Sequence, residues 1–314
     1  LILVTWDTTR ADAVTSETAP RMAALAAEGV SFSNARSTVP LTLPSHTTML
    51  TGLYPHEHGT RLNGFHTVAP DVQSLAESFQ VAGYETAAFI SAAVMDSEYG
   101  LDQGFSLYQD EMSSDPDGAY FPERPSAQTV SAALDWLEIR EEDAPFFLWV
   151  HLFDPHRPWE PSAEALEVHP YPYFAEIWDT DRATHRLLGA VETAGELEKS
   201  IVLLTSDHGE SLGEHGEWTH GSTIYDSSMR VPFMVWAGPE SGVDLKVGHH
   251  VTEPVSHVDI APTVAALFPI EFPGTSGIDL SGALRGEPLG ASRDVLMETG
   301  DPPNRYGAAP VFGV

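Results

Sequence analysis

Short apolar runs recur along the chain and alternate with segments of helical periodicity. Five of the runs have the length and composition of buried strands, at residues 1–6, 85–91, 146–153, 200–206 and 231–238. Such uninterrupted runs are typical of strands that helices cover on both faces, whereas half-exposed strands alternate apolar and polar residues. The pattern therefore predicts an α/β fold with a mostly parallel central sheet flanked by helices on both faces.

Four intervening segments have apolar residues spaced as in helices, at residues 20–28, 127–137, 173–194 and from Asp259 onward. Asp259 is a residue type that favours helix N-caps. We expect residues 1–285 to form one catalytic α/β domain and residues 286–314 to begin a C-terminal subdomain that is truncated. The Pro-rich polar stretches 109–126 and 154–172 predict long surface loops that shape the rim of a site.

The 314-residue chain is strongly acidic, with 46 acidic and 15 basic residues and a formal charge of −31 at pH 7. Such a surface repels nucleic acid and anionic membranes, so we expect no nucleic-acid-binding surface. No apolar run approaches the length of a transmembrane helix. An anionic substrate would need a local positive centre in this field, and a bound metal ion is an economical source of one.

The sequence contains no cysteine, which rules out disulfides, thiolate metal sites and cysteine nucleophiles but leaves the compartment open. It begins on a strand-like run, without Met and without a signal-peptide pattern, so we expect a trimmed or mature chain. Localisation is therefore not assigned from the sequence, and export is one option.

Acidic and histidine side chains follow three of the predicted strands. Asp7 ends the first run, Asp207 and His208 end the fourth, and Asp154 and His156 follow the third. Open α/β sheets place ligand sites at the carboxyl ends of their strands, so we expect these groups to converge. Two carboxylates and an imidazole make a site for a divalent cation, and mixed oxygen and nitrogen ligation suits Zn, Mn or Mg.

Thr42 lies just ahead of a helix that we expect to begin near Pro44. The positive end of that helix and its backbone N–H groups favour an alkoxide and an anion beside it. A cation at the strand ends would acidify the Thr42 hydroxyl and polarise a substrate oxygen. A single Asp after a strand is more often a helix cap, so the prediction depends on the combination of residues.

Five segments together resemble one known family. They are WDTTRAD, VPLTLPSHTTMLTGLYPHEHG, LFDPHRPW, LLTSDHGESLGEHGEWTHGSTIYDSSMRVPFMVW and VSHVDIAPTVAALF. In this order they resemble the sulfatase-like branch of the alkaline phosphatase superfamily, over most of the chain. The resemblance implies a metal-dependent hydrolase of phosphate or sulfate esters, built on the α/β fold predicted above.

Carried over residue by residue, the resemblance implies one divalent metal, held by Asp7, Thr42, Asp207 and His208. The Asp207-His208 pair stands where calcium-dependent sulfatases have Asp-Asn, which makes calcium the less favoured ion. The alternative is a second metal near Asp154, His156 and His215. Relatives with two metals carry Asp-x-x-x-His at that second site, but Asp154 is followed at this spacing by Pro158, which favours one metal.

The resemblance also implies roles toward the substrate for three further residues. Asn63 matches an asparagine that touches the substrate, His156 a histidine near the leaving group, and His220 a residue on the transferring group. Together with Thr42, these are the candidate catalytic residues.

The chain departs from the formylglycine-dependent sulfatases at several positions. Thr42 replaces the cysteine or serine that matures to formylglycine, and oxidation of its secondary alcohol would give a ketone instead of an aldehyde. Thr8 replaces a second aspartate, and His46 replaces the arginine of the nucleophile motif. The two lysines, Lys199 and Lys246, lie outside every motif. These departures resemble the branches of the superfamily that use a threonine nucleophile.

Three hypotheses follow, of which the first is favoured. The chain is a metal-dependent enzyme that cleaves, or transfers from, phosphate monoesters or diesters of a small molecule, glycan or lipid, through a phospho-threonine intermediate. Alternatively, it is a sulfatase that works without formylglycine, or a non-catalytic binding module on the same fold. Retention of every metal-ligand type disfavours the third hypothesis.

Overall fold

The computed structural model describes residues 1–112, 122–141, 144–290, 293–302 and 307–314. Its strands are β1 (Ile2–Trp6), β2 (Val30–Phe32), β3 (Ala35–Arg36), β4 (Glu85–Phe89), β5 (Leu107–Gln109), β6 (Phe146–Leu152), β7 (Ile201–Ser206), β8 (Phe233–Ala237), β9 (His249–Val251), β10 (Val255–Ser256), β11 (Met297–Thr299) and β12 (Val311–Gly313). Eight of them form the central sheet, in the order β5-β4-β6-β1-β7-β8-β2-β9.

The centre of this sheet is parallel, as predicted. Strands β5, β4, β6, β1 and β7 are parallel neighbours, and Ile2 of β1 lies between Leu148 of β6 and Val202 of β7. Strand β8 is antiparallel to both β7 and β2, and β2 is parallel to the edge strand β9. The carboxyl ends of β6, β1 and β7 therefore meet at one edge, where the predicted metal ligands follow them.

The helices are α1 (Pro20–Glu28), α2 (Thr42–Thr51), α3 (Pro55–His58), α4 (Leu75–Val81), α5 (Ser126–Ile139), α6 (Ala163–Val168), α7 (Pro172–Thr193), α8 (Asp226–Met229), α9 (Ile260–Leu267) and α10 (Ser281–Leu284). Successive side chains of a strand point to opposite faces of the sheet. Leu3 packs into a core with α2, α4 and α9, whereas Ile2 and Val4 pack into a second core with α1, α5 and α7. Helices thus cover both faces, as expected.

The predicted helices are present, and two boundaries differ in informative ways. The helix expected near Pro44 begins at Thr42 itself, so this residue occupies its first turn. The helix expected from Asp259 begins at Ile260, after a 3₁₀ turn over His257–Asp259. In that turn the Asp259 carboxylate accepts a hydrogen bond from the Ser256 N–H at 2.8 Å, so it caps the turn and not the helix.

The C-terminal part is small. Strands β11 and β12 pair antiparallel, and the Glu298 N–H donates to the Thr38 carbonyl at 2.9 Å, which ties β11 to the segment before α2. The proposed division at residue 285 stays a prediction. Part of the predicted 109–126 loop, residues 113–121, lies outside the described residues. Within the described ranges, no helix combines the length and the apolar character that a membrane crossing requires.

Candidate metal and active site

Three of the four metal ligands predicted from the sequence come together where two adjacent parallel strands end. Asp7 follows β1, and Asp207 and His208 follow β7. All three side chains are fully buried, and one ligand atom from each lies within 4.8 Å of the others. Among the described residues, this is the one group of three or more acidic or histidine side chains that meets that distance.

In each of these three side chains, one oxygen or nitrogen atom is hydrogen-bonded and the other is not. Asp207 Oδ1 accepts from the Thr8 N–H at 3.1 Å and from the His208 N–H at 2.8 Å. His208 Nδ1 donates to the Gly209 carbonyl at 3.0 Å, which leaves the lone pair on Nε2. Asp7 Oδ1, Asp207 Oδ2 and His208 Nε2 are buried without a hydrogen-bond partner. Buried polar atoms without partners are rare in proteins, and three at one point fit the ligands of a divalent cation.

Electrostatics at the centre also favour a cation. Burial raises the pKa of Asp7 to about 7, although His208 and the Thr42 hydroxyl act to lower it. Burial and the neighbouring Asp7 raise the pKa of Asp207 as well. Burial alone would lower the pKa of His208, but the carboxylates of Asp207 and Asp7 outweigh it and the pKa is raised. A divalent ion would stabilise both carboxylates in their charged form.

The backbone next to this centre is strained. Thr8, directly after Asp7, has φ 48°, in the left-handed region that β-branched residues rarely adopt. This conformation turns its N–H to Asp207 Oδ1, and its own buried hydroxyl has no hydrogen-bond partner. Thr8 occupies the position of the second aspartate of sulfatases, so an oxygen atom is kept there while a negative charge is lost.

Thr42 lies beside the metal centre, at the start of α2. It is 2% exposed, and its hydroxyl is close enough to the Asp7 carboxyl to lower the pKa of that group. The next residue, Leu43, donates its backbone N–H to Asn63 Oδ1 at 2.9 Å. Asn63 therefore lies at the same helix end as Thr42, and its side-chain oxygen is used to hold that helix end.

The two predicted histidines extend from the centre as a chain of rings. The ring centroid of His220 lies 4.4 Å from that of His208, and the ring of His156 lies 5.2 Å from that of His220. His156 also stacks on Phe153 at 4.2 Å, and its Nδ1 donates to the Arg157 carbonyl at 2.5 Å. The rings of His208, His220 and His156 thus form a continuous row that leads away from the Asp-Asp-His group.

Three residues of this site were not assigned from the sequence. Glu210 is fully buried and its Oε2 lies 3.4 Å from His220 Nδ1. His151 is fully buried and its Nε2 lies 3.2 Å from Asp7 Oδ2. Arg157 lies next to His156 and close to Glu210. Glu210, in Asp-His-Gly-Glu, stands two residues after a predicted ligand, and this proximity was the available signal for it.

The second metal site near Asp154, His156 and His215 is not formed by the described residues. The Asp154 carboxylate accepts from the Ser126 N–H at 2.8 Å, so it holds the start of α5. His215 is exposed and stacks on Tyr225 at 3.8 Å. The three side chains have separate structural partners: Ser126 for Asp154, Phe153 and His220 for His156, and Tyr225 for His215.

The contact between His151 and Asp7 leads to a testable prediction. Because a carboxylate can only accept, His151 Nε2 donates to Asp7 Oδ2 and leaves Oδ1 for the metal. Outer hydrogen bonds of this kind orient metal ligands, and their loss typically costs 10- to 100-fold in metal affinity. We expect His151→Phe to weaken Mn²⁺ or Zn²⁺ binding by about that factor, measured by competition with a chromophoric chelator.

His58 offers a matched control for that measurement. It is also buried, at 3% exposure, but it accepts from the Thr60 N–H at 3.1 Å and has no contact with the metal ligands. We expect His58→Phe to lower stability without changing metal affinity, and His151→Gln, which keeps an N–H donor, to recover part of the loss. Equal metal affinity in His151→Phe and His58→Phe would contradict an orienting role for His151.

The fold and the site define the class: a parallel α/β sheet with a buried Asp-Asp-His centre and a hydroxyl at a neighbouring helix start, as in the alkaline phosphatase superfamily. The sulfatase family model matches residues 1–270, and the chain belongs to this family. The resemblance found in the sequence is thereby confirmed.

Several relatives are recognised over most of this chain. It is 28% identical to the ulvan-active sulfatase of Formosa agariphila, with 88% of this chain and 62% of that protein covered. It is 23% identical to the N-acetylglucosamine-6-O-sulfatase of Bacteroides thetaiotaomicron, with 84% and 65% covered. The chain therefore spans less than two thirds of the length of both relatives.

Solved structures agree on the fold. The phosphonate monoester hydrolase of Agrobacterium radiobacter superimposes with a TM-score of 0.79 at 20% identity, covering 95% of this chain and 79% of that one. At this identity the similarity supports the fold alone. The relatives recognised by sequence are named for sulfate esters, and a protein that shares the fold is named for phosphonate esters.

Proposed function

We propose that this protein is a metal-dependent hydrolase or transferase of phosphate esters that uses the unmodified Thr42 hydroxyl as its nucleophile. The observation that supports this most directly is the position of Thr42, buried in the first turn of α2 and facing the Asp7 carboxyl. A bound divalent cation would supply Lewis-acid stabilisation of negative charge on the substrate oxygens. Asp7, Asp207 and His208 would hold it.

In the first half of the proposed reaction, the Thr42 hydroxyl loses its proton to water, and Oγ1 forms a bond to phosphorus as the bond from phosphorus to the alcohol oxygen breaks. The start of α2 stabilises negative charge beside Thr42, because helix N-termini favour anions. Asn63 holds this helix end through the Leu43 N–H. His220, fixed by Glu210, lies on the side where the transferred phosphoryl group would sit.

In the second half, water or another alcohol attacks the phospho-threonine and the P–O bond to Thr42 breaks. The neutral ring of His156 can accept a hydrogen bond from that nucleophile. Burial and the nearby His220 lower the pKa of His156 to about 3, and its Nδ1 donates to the Arg157 carbonyl, which leaves the Nε2 lone pair available. The proton that the nucleophile loses restores the Thr42 hydroxyl, and in the first half the departing alkoxide takes its proton from water, because a ring with this pKa starts unprotonated.

The second candidate is a sulfatase without formylglycine. The specific observation in its favour is that the relatives recognised by sequence are named sulfatases, including one named for N-acetylglucosamine-6-O-sulfate esters. Glycan sulfates and glycan or lipid phosphates are both compatible with the centre. The absence of lysine before Lys199 and the threonine at the nucleophile position favour phosphate esters as the substrates.

A panel of aryl esters separates these functions. The purified protein, supplied in turn with Mn²⁺, Zn²⁺ and Mg²⁺, is assayed on an aryl phosphomonoester, phosphodiester and sulfate, and its intact mass is measured. Faster turnover of a phosphate ester by a protein of unmodified mass is expected. Turnover of the sulfate alone would refute the phosphate reading, and inactivity on all esters with a bound metal would point to a binding module.

A further inference from the structure

The side chain of Arg157 is exceptional among the arginines that the structure describes. The other arginines bond through their guanidinium groups to a carboxylate, a hydroxyl or a carbonyl oxygen, as Arg10 does to Asp12 and Arg230 to the Ser33 carbonyl. The Arg157 guanidinium makes no such bond, and its Nε is buried without a partner. Its one described side-chain contact is with the ring of Trp159, 4.3 Å from the guanidinium carbon.

Arg157 lies in the candidate active site. It follows His156 in the loop after β6, and the His156 ring is tied to the Arg157 carbonyl. The Trp159 ring that the guanidinium faces lies 5.5 Å from the ring of Tyr173, whose hydroxyl donates to the Thr8 carbonyl at 2.8 Å. The guanidinium is therefore held beside the loop that follows Asp7.

An unpaired guanidinium here contrasts with the charge of the chain. Acidic residues outnumber basic ones 46 to 15, so partners for an arginine are abundant. Of the donors of the half-buried Arg157, Nε is buried without a partner, and a buried donor that is left unpaired calls for an explanation such as a ligand. The guanidinium is also held in place, because stacking on an aromatic face restricts its orientation.

We propose that Arg157 binds an oxyanion of the substrate in the active site. Held over the Trp159 ring, the guanidinium can present parallel N–H donors that match two oxygens of a phosphate, sulfate or carboxylate group. The oxyanion is either the transferred group itself or a second anionic group on the substrate alcohol. This inference rests on the proposed function, and it gives the site a fixed cation where sulfatases use lysines.

Binding of inorganic phosphate tests the first source of the oxyanion. Isothermal titration compares wild type, Arg157→Gln, Arg157→Lys and the control Arg186→Gln, each saturated with Mn²⁺. Charge-assisted hydrogen bonds contribute enough that Arg157→Gln is expected to bind phosphate about 10- to 100-fold more weakly. Arg157→Lys keeps the charge without the paired donors and is expected to fall between.

The control and the second arm make the result decisive. Arg186 bonds the Ser131 hydroxyl at 3.0 Å on an exposed helix face, so Arg186→Gln is expected to bind phosphate as wild type does. In the second arm, kcat/KM is compared for aryl phosphates with a neutral and with a carboxylated leaving group. A selective loss on the carboxylated ester in Arg157→Gln assigns the guanidinium to the alcohol side.

Unchanged phosphate affinity together with unchanged kinetics on both esters in Arg157→Gln would overturn the proposal. Melting temperature and metal content, measured on every variant, show whether a loss comes from misfolding. The titration with phosphate requires no turnover. A failure of the proposed phosphoryl transfer therefore leaves the role of Arg157 testable, and a normal phosphoryl transfer in Arg157→Gln leaves the proposed function standing.

Discussion

Replacement of Thr42 by alanine is expected to lower kcat/KM of the metal-saturated protein by at least about 10³-fold, the largest effect predicted here. The substitution removes the attacking oxygen and leaves the α2 backbone and the buried Asp-Asp-His centre in place. Metal content and melting temperature are therefore expected to stay close to those of wild type. Steady-state kinetics on the preferred aryl ester, with metal analysis of the same sample, measures the effect.

Two further substitutions on α2 test whether the loss of activity comes from the missing Thr42 hydroxyl. Thr42→Ser replaces the secondary hydroxyl by a primary one. It is expected to retain activity within about 10-fold of wild type, with an intact mass that shows no oxidation. Thr51→Ala is the matched control, because Thr51 is 3% exposed and its hydroxyl donates to the Thr47 carbonyl at 2.6 Å, at the opposite end of the helix. It is expected to cost about 1 kcal/mol of stability without loss of activity.

Retention of more than a tenth of the wild-type activity in Thr42→Ala would rule out covalent catalysis by this residue. The Asp-Asp-His centre would then act on the ester by way of a water nucleophile. A phosphoryl adduct recovered on Thr42 after acid quenching of wild type, and absent from the alanine variant, would be the positive counterpart.

Much of the sheet could be predicted from the sequence because its central strands are continuous apolar runs. Runs such as residues 146–153 and 200–206 are buried by helices on both sides, so composition alone marks them. The short strands β2 and β9 could not be found in this way. Each has three residues, and their pairing with each other and with β8 depends on the tertiary fold.

The metal ligands were predictable for a geometric reason that did not extend to their neighbours. Asp7 and Asp207 follow adjacent parallel strands, so topology alone brings them together. His151 lies within a strand that is buried on both faces, where the apolar pattern does not show which face a side chain takes. Asp154 follows a strand in the same way as Asp7, but it holds the start of α5, a helix that begins 28 residues earlier in the chain.

Arg157 shows a different limit of the sequence. Its motif marks it as a neighbour of His156, but its significance lies in the absence of an acidic partner. Carboxylates such as Asp12, Glu214 and Glu298 pair with other arginines over separations of 2 to 237 residues. Which cation is left without a partner is therefore a property of the completed fold.

Removal of the metal is expected to destabilise wild type, and Asp207→Asn is expected to abolish the metal response. Saturation at one hundred times the dissociation constant contributes about 2.7 kcal/mol to the free energy of unfolding of a protein that binds the ion only when folded. For a chain of 314 residues this corresponds to roughly 4 °C in melting temperature. Differential scanning calorimetry with Mn²⁺ and with a chelator measures it, and Asp207→Asn should melt at the same temperature in both.

The metal-free Asp207→Asn variant is expected to be at least as stable as metal-free wild type, although it cannot bind the ion. Asp207 and Asp7 are both fully buried, burial raises the pKa of both, and Asp7 raises that of Asp207 further, so a neutral side chain at 207 relieves the cost of placing two charges side by side. The asparagine carbonyl can still accept from the Thr8 and His208 N–H groups, which now bond to Oδ1.

The substitution Asp181→Asn is the control for the general consequences of replacing a buried aspartate. It is 1% exposed, and its Oδ1 accepts from the Met22 N–H at 2.8 Å, on the sheet face that α1 and α7 cover. Asp181→Asn is expected to lower stability and to keep the full metal increment. A metal increment that survives in Asp207→Asn, or a metal-free Asp207→Asn that melts below metal-free wild type, would show that these carboxylates are structural. If Asp207→Asn loses the metal increment and its metal-free form melts at or above metal-free wild type, the two carboxylates destabilise the metal-free protein and serve to bind a cation.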